Sequence, residues 1–296
     1  MRSPLLIFLL LLLLMHSSSA QKGGQARIDS LLTAMQSVHK DSNLVNLMVD
    51  LSFTYSSIDP DAGIKYGKEA LDLAINLDWK KGIADANRTI GVNYSYGKSE
   101  YSTSLQYFLE SLKLFEELEN KPGMAKVLSN IGVVYWYQSN FPKALEYYLK
   151  ALQIDEELGD KNGMAGRLSN IGIVYNSLED YQKALEYMLK GNEIDQLLGN
   201  KQGVASNLGN IGEIYRRLSN YPKALAYDST SLRMYEELGD KVGIARNLGN
   251  IGAVYLEQQS YSRALEYYFK ALQMSKELGI KIGIAVNLGS IGAAYL

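Results

Sequence analysis

The chain of 296 residues contains no cysteine and only two histidines. Without cysteine there is no disulfide framework, no thiolate nucleophile and no cysteine-containing zinc site. His16 belongs to the N-terminal segment, so a serine–histidine–acid triad would depend on His39, on a predicted surface helix. No Gly-x-x-x-x-Gly-Lys-Ser/Thr phosphate loop occurs. We therefore expect no enzymatic activity within residues 1–296, and neither a metal ion nor an organic cofactor.

The chain also lacks an excess of charge of either sign. Thirty basic and 32 acidic residues give a formal net charge of −2, and the two signs are mixed along the sequence. A nucleic-acid surface needs clustered lysines and arginines, so nucleic acid is not an expected partner.

No apolar run reaches the ~20 residues that a membrane-spanning helix needs. The longest run, the 11 residues 5–15, follows Met1-Arg2, and Ser18 and Ala20 then place small residues at −3 and −1 of a cut after Ala20. This layout is typical of a secretory signal peptide over residues 1–20, and the alternative is an uncleaved signal anchor. We expect an exported protein of the periplasm, the cell envelope or the extracellular space.

What the sequence does contain is a repeat with a period of 40 residues. Asn-Ile-Gly occurs at residues 130–132, 170–172, 210–212 and 250–252, and Ser-Ile-Gly follows at residues 290–292. A unit this short cannot bury its own apolar face, so it must stack on copies of itself. The repeat therefore predicts a solenoid with a long continuous surface.

Each unit has the pattern of two amphipathic helices. In the unit 123–162, small and apolar residues recur at helical spacing on each helix, at Leu128, Ile131, Gly132 and Tyr135, then at Ala144, Tyr148, Ala151 and Leu152. Gly159 suits the end of the second helix, and Asp160 suits the cap of the next one.

These patterns divide the chain into a signal peptide (1–20), a linker with a cap helix (21–43) and a repeat array (44–296). The array consists of a degenerate unit 44–81, the units 82–122, 123–162, 163–202, 203–242 and 243–282, and a partial unit 283–296. The unit 82–122 has one extra residue in its inner turn, because Tyr94 to Tyr101 is seven steps where Tyr135 to Phe141 is six.

The unit resembles the tetratricopeptide repeat (TPR) over about residues 44–296, because Leu128, Ile131-Gly132, Tyr135, Ala144, Tyr148 and Ala151 occupy the places of its signature. The period departs from the usual one of about 34 residues, and Glu156 stands where proline is usual. The junctions are similar to those of Pins-type polarity adaptors and bacterial TPR sensors. The resemblance implies an all-α, right-handed superhelical solenoid of antiparallel helix pairs whose first helices line a concave face.

The resemblance also implies a peptide-binding groove on the side of the first helices opposite the packed face. At 100° per residue, Lys126, Asn130 and Tyr137 lie on that side. The equivalent positions of later units give the other candidates, Asn170, Asn210, Glu213, Arg217, Arg246 and Asn250. Asparagine is a poor helix former, so propensity does not explain its recurrence, and its amide can hold a peptide backbone. The alternative is that each asparagine bonds a neighbouring helix and spaces the repeats.

The charged and aromatic candidates each have a binding interpretation and a purely structural one. Arg216, Arg217 and Arg246 suit an acidic peptide or its C-terminal carboxylate; the alternative is a solvated pattern compensated by nearby glutamates. Trp136 beside Tyr137 suits an aromatic anchor for a partner, and the alternative is ordinary packing.

Three functions remain open. The first is an exported, non-catalytic scaffold that binds an extended peptide or protein partner in its groove. The second is the sensory ectodomain of a bacterial membrane protein whose nucleotide cyclase or histidine kinase, with any membrane segment, lies beyond Leu296. The third is self-association through an uncapped C-terminal end, because the last helix begins a pair and leaves Ile291 and Tyr295 uncovered. We expect the natural chain to continue past Leu296.

Overall fold

The computed structural model describes residues 19–295, with side chains from residue 24 onward. Fourteen α-helices and no strands occur in this part of the chain, which confirms the all-α prediction. The helices are α1 (Ser19–Met35), α2 (Ser42–Tyr55), α3 (Pro60–Asn76), α4 (Lys80–Val92), α5 (Tyr101–Glu117), α6 (Lys121–Tyr137), α7 (Phe141–Leu158), α8 (Lys161–Ser177), α9 (Tyr181–Leu197), α10 (Lys201–Arg217), α11 (Tyr221–Leu238), α12 (Lys241–Glu257), α13 (Tyr261–Glu277) and α14 (Lys281–Tyr295). The predicted signal peptide lies outside the described residues except for Ser19 and Ala20.

The described residues form two compact units, residues 24–194 and 195–295, which divide within α9. In the first unit α4 and α5 are antiparallel, because Ser104 Oγ donates to the carbonyl of Gly91 at 2.8 Å while Ser111 Oγ reaches that of Ala84 at 2.7 Å. In the second unit Ser231 Oγ on α11 donates to the carbonyl of Ala205 on α10 at 2.6 Å.

In the five pairs from α4–α5 to α12–α13, a glycine on the first helix lets the second helix approach, whereas α2 has Ser52 at this position. Cβ atoms added at Gly132 and Gly252 would lie 2.8 and 2.9 Å from the rings of Tyr148 and Tyr268. Both tyrosines are nearly fully buried. Because a Cβ contact below 3.0 Å forces the neighbour to move, these glycines set the distance between paired helices.

From α7 onward, the turns between pairs and the turns within pairs end differently, whereas the turns after α3 and α5 have Asp78 and Glu119 at positive φ. Gly159 and Gly239 follow the second helices with φ of +66° and +67°, and the Asp160 carboxylate then caps α8 by accepting from the backbone N–H of Gly163 at 3.1 Å. The inner turns place an ordinary residue in the same left-handed region, with φ of 56° at Ser139 and 55° at Ser219. Such residues cost about 1–2 kcal/mol each in that region.

The extra residue of the unit 82–122 lies in a π-helical turn, residues Asn93–Gly97, at the end of α4. It leaves the packing of the pair unchanged, because a Cβ at Gly91 would still meet the ring of Phe108 at 2.7 Å, as one at Gly132 meets Tyr148. Asn93 is fully buried in this turn, and its amide donates to the carbonyls of Ser52 and Thr89 at 3.0 and 2.8 Å.

The last described helix, α14, has an exposed apolar face. Ile282, Val286 and Tyr295 are 80, 61 and 70 % exposed, and a Cβ at Gly292 would meet nothing within 4 Å. The prediction that Ile291 is uncovered is wrong, because it is only 8 % exposed and packs with Tyr268 and Leu272 of α13. None of the described helices is long and apolar enough to span a bilayer.

We expect Gly132→Ala to lower the free energy of unfolding by about 1–3 kcal/mol, because its methyl group overpacks the Tyr148 ring. Gly166→Ala is the matched control, since a Cβ there meets nothing within 4 Å and Gly166 is an exposed residue within α8. The control should raise the stability by about 0.5–1 kcal/mol. Circular-dichroism melts of both variants check the pair, and equal shifts would contradict the close contact.

Candidate functional site

The four predicted asparagines occupy the same position on α6, α8, α10 and α12, one residue before the Ile-Gly pair that packs inward. Asn130 and Asn170 lie in the unit 24–194, and Asn210 and Asn250 in the unit 195–295. All four side chains are half-buried, so part of each amide is open to solvent. Each of the two compact units, residues 24–194 and 195–295, thus presents two equivalent asparagines on the first helices of successive repeats.

Asn250 also has an internal neighbour. Its amide lies near the carboxyl group of Asp228, on the preceding helix α11, and helps to hold the pKa of that group down. This is the arrangement expected of an asparagine that bridges repeats, and it sets Asn250 apart from the other three.

The flanking candidates differ in exposure and contacts. Lys126 is exposed one turn before Asn130, and Tyr137 is 42 % exposed at the end of α6. Arg246 donates to the Tyr235 hydroxyl at 2.7 Å, and its guanidinium carbon lies 5.7 Å from the centre of the tyrosine ring. The arginine is therefore held in place by a hydroxyl group, and among the described residues it forms no ion pair.

Glu213 and Arg217 belong to an ion network that also contains Arg216, the third arginine considered for an acidic peptide. Arg216 donates to Glu213 through Nε at 2.7 Å and Nη2 at 2.5 Å, and Arg217 Nε donates to the same carboxylate at 2.9 Å. Arg216 Nη1 also donates to Glu257 on α12, so the network joins the first helices of two repeats. Burial alone would raise the pKa of Glu213, but the hydrogen bonds and charges of both arginines lower it below its ordinary value.

An open pocket of about 450 Å³ lies beside Arg246, between the N-terminal halves of α10 and α12. Its lining includes Gln202, Ser206, Tyr235, Asp240, Val242 and Arg246. Gln202 Nε2 donates to the Asp240 carboxylate at 2.7 Å, and that carboxylate also caps α12. Ser206 and Arg246 thus offer the polar groups that a ligand in this pocket would meet.

Asp228 was not among the predicted residues, although the sequence carries a signal. It stands on α11 where α7 and α13 carry Tyr148 and Tyr268, and it is completely buried. Its carboxyl group packs against Gly212, and neither oxygen accepts a well-formed hydrogen bond from the described residues. A charged residue at the aromatic position of a repeat is the deviation that identifies it.

Burial raises the pKa of Asp228 to about 8. The nearby Asn250 amide opposes this rise, the charge of Glu213 adds to it, and the charges of Arg216 and Arg246 oppose it. Desolvation outweighs the favourable groups, so the carboxyl group is largely neutral at pH 7.

Other buried polar residues join neighbouring pairs. They recur 12 residues apart, with Arg167 Nε 3.3 Å from Asp155 Oδ2, Asn207 donating to Asp195 at 2.9 Å and Asn287 donating to Ser275 Oγ at 3.4 Å. Asn207 and Asn287 lie three residues before Asn210 and Ser290, which occupy the position of the predicted groove asparagines, and both Asn207 and Asn287 are buried. The sequence analysis did not distinguish these bridging asparagines from the half-buried ones.

Among the described residues, no three histidine, cysteine, aspartate or glutamate side chains are grouped so that they could hold a metal ion.

We expect Asp228→Asn to stabilise the protein increasingly as the pH rises from about 4 to about 8. In this window the unfolded carboxyl group, with a pKa of about 3.9, has lost its proton while the folded one keeps it, so each pH unit costs the natural protein up to about 1.4 kcal/mol. The asparagine variant does not titrate and lacks this slope. Thermal melts of both proteins from pH 4 to 9 check it, and a gap that does not change with pH would refute the raised pKa.

A family model described as Tetratricopeptide repeat matches residues 82–157, 123–197, 164–237 and 203–277. No curated protein sequence matches the chain. Among solved structures, a Rap protein complexed with Competence and Sporulation Factor has a TM-score of 0.65 and 14 % identity, over 90 % of this chain and 79 % of that one. BtubC from P. vanneervenii has a TM-score of 0.63 and 19 % identity, over 75 % and 92 %. The apo quorum sensor NprR from B. thuringiensis has a TM-score of 0.62 and 16 % identity, over 90 % and 81 %. Since the matched segments together run from residue 82 to residue 277, the chain belongs to the tetratricopeptide repeat family.

Proposed function

We propose that this chain is an exported, non-catalytic TPR scaffold that binds an extended peptide or protein segment along the first helices of its repeats. The observation that carries the proposal is the recurring half-buried asparagine, at Asn130, Asn170 and Asn210, on helices that have no use for it as a helix former. Amides of this kind can bond peptide groups spaced along an extended chain without reading its side chains.

The similar structures support binding in general terms. One similar structure is a Rap protein in complex with a factor, and another is a quorum sensor. Within this chain the two charged regions near the candidate groove asparagines differ in whether their charges are paired. Glu213, Arg216 and Arg217 compensate one another, whereas Arg246 forms no ion pair among the described residues and lies beside an open pocket. Arg246 is therefore the charged groove residue best suited to contact an acidic group of a partner.

We expect the double variant Asn170→Ala/Asn210→Ala to weaken partner binding while leaving stability unchanged or slightly higher. Each lost hydrogen bond should cost about 0.5–1.5 kcal/mol of binding free energy, whereas alanine is the better helix former. Peptides selected from a displayed random library on the natural protein supply the ligands for titration, and melts of the same samples report stability.

Two controls make this test specific. Asn162→Ala, at an exposed position early in α8, should change neither binding nor stability. Asn207→Ala removes a buried amide that bonds Asp195, so it should lower stability. If the double variant behaves like Asn207→Ala, losing stability while binding peptide as before, the asparagines at 170 and 210 are spacers.

Export rests on the pattern of residues 1–20. We expect secretion to remove these residues and to leave Gln21 at the N-terminus, which mass spectrometry of the exported protein would show. A mature chain that retains residues 5–15 would mean that the segment is an anchor.

A second candidate function is that of a sensory ectodomain whose effector lies beyond Leu296. The similarity to a quorum sensor favours it. The full reading frame tests it, because an apolar stretch of about 20 residues followed by a catalytic domain is required. Self-association through the exposed face of α14 stays a prediction, which light scattering with and without Ile282→Glu would check.

A further inference from the structure

Four aromatic rings meet at the C-terminal ends of the first helices in the unit 24–194. They belong to Tyr96, Tyr101, Trp136 and Tyr137, here called the aromatic cluster. Tyr137 is at its centre, with ring centroids 5.9 Å from Tyr101 in a stacked arrangement, 6.0 Å from Tyr96 edge to face, and 5.1 Å from Trp136. Tyr96 and Tyr137 are 53 and 42 % exposed, so the cluster forms part of the surface.

The π-helical turn and one hydrogen bond hold this cluster in place. Tyr96 lies within the turn Asn93–Gly97, which the buried Asn93 amide ties to Ser52 and Thr89. Trp136 Nε1 donates to Ser177 Oγ at 3.3 Å, so the indole is held against the next first helix, α8. The rings are thus pre-positioned on rigid elements, which reduces the entropy lost on binding a partner.

Four tyrosines on the first helices of later repeats, Tyr135, Tyr175, Tyr215 and Tyr255, each stack on a tyrosine of the second helix and are each covered by a basic side chain of the chain itself. The amines of Lys143, Lys183 and Lys223 lie 4.9, 5.0 and 4.8 Å from the ring centres of Tyr135, Tyr175 and Tyr215, and the guanidinium of Arg263 lies 5.4 Å from that of Tyr255.

Within residues 24–295 no lysine or arginine lies over the ring of Tyr96, Tyr101, Trp136 or Tyr137. The cluster therefore presents aromatic surface that the chain's own cations leave uncovered.

The phenols of Tyr96 and Tyr137 stay neutral at physiological pH, because their pKa values are raised. Burial raises the pKa of Tyr96, with a smaller contribution from Tyr137, and burial followed by Tyr101 raises that of Tyr137. Attraction of a cation to these rings therefore comes from the negative faces of their π systems, and not from a phenolate charge.

We infer that the aromatic cluster binds a lysine or arginine side chain of the partner. This inference rests on the proposed function, since Tyr137 belongs to the predicted groove. The partner's cation would take the role that Lys143 has over Tyr135 within the chain itself. The rings would select the basic residue, and the asparagines Asn130 and Asn170 of the same compact unit would hold the backbone around it.

The probe for the test is N-acetyl-arginine amide, with N-acetyl-citrulline amide as a neutral ligand of the same shape. Trp136 reports binding through its fluorescence in a Trp79→Phe background, because Trp79 is the only other tryptophan. We expect a saturable change in the millimolar range with the arginine compound and a several-fold weaker response to the citrulline compound.

Variants assign the response to the rings. Tyr137→Ala and Tyr96→Ala should each weaken arginine binding about two- to fivefold, whereas Tyr137→Phe, which keeps the ring, should retain it. Tyr261→Ala removes a tyrosine of equal exposure in the other unit and should have no effect. Equal binding of both compounds would show an apolar surface without preference for charge, and the absence of saturation would show no site; either result overturns the inference.

The same variants separate this inference from the proposed function. If selected peptides lose affinity with Asn170→Ala/Asn210→Ala but not with Tyr137→Ala or with arginine replaced by citrulline, the groove binds peptide and the cluster does not read a cation. If the arginine compound binds and no peptide does, the inferred cation site is supported and the proposed peptide-binding function is wrong.

Discussion

The contact between a glycine of the first helix and a side chain of the second helix holds together the five pairs from α4–α5 to α12–α13, on which the candidate groove depends. The backbone at Gly132 and Gly252 lies against tyrosine rings at a distance that leaves no room for a Cβ atom. Close pairing places one face of each first helix in the core and leaves the opposite face, with its half-buried asparagines, available. The candidate groove is thus a by-product of packing, since the residues that face outward are those that the glycine contact excludes from the core.

Asp228 shows what happens when one member of this contact changes its chemistry. The backbone geometry of the pair persists, because the carboxyl group fills the place against Gly212. The change appears instead in protonation, since a buried carboxyl group without a well-formed hydrogen bond from the described residues favours the protonated form. Its neighbours Asn250, Arg216 and Arg246 are candidate groove residues, so the electrostatics of the core and of the candidate groove are coupled here.

The sequence predicted those features that depend on local pattern and period. The helix pairs, the glycine at the end of α7 and the asparagine column follow from residues a few positions apart, repeated in register. It also located the extra residue between Tyr94 and Tyr101, but it placed that residue in a turn, whereas the structure absorbs it in the helix. A π-helical turn depends on burying Asn93 against Ser52, a contact 41 residues distant that periodicity does not reveal.

Other parts of the site required the structure because they depend on which repeats touch. Arg216 has no special position within its own helix, yet it reaches Glu257 in the next repeat. The bridging asparagines at 207 and 287 look like the groove asparagines in composition, and only their burial against the preceding pair separates the two sets.

The π-helical turn also bears on how an array of this kind diversifies. An inserted residue usually shifts everything after it, and in a solenoid such a shift would propagate to every later interface. Here the widened turn confines the insertion to one helix end, and Phe108 still meets Gly91 as Tyr148 meets Gly132. A repeat can therefore gain a residue, and a new surface with it, while its packing against the adjacent repeats stays the same.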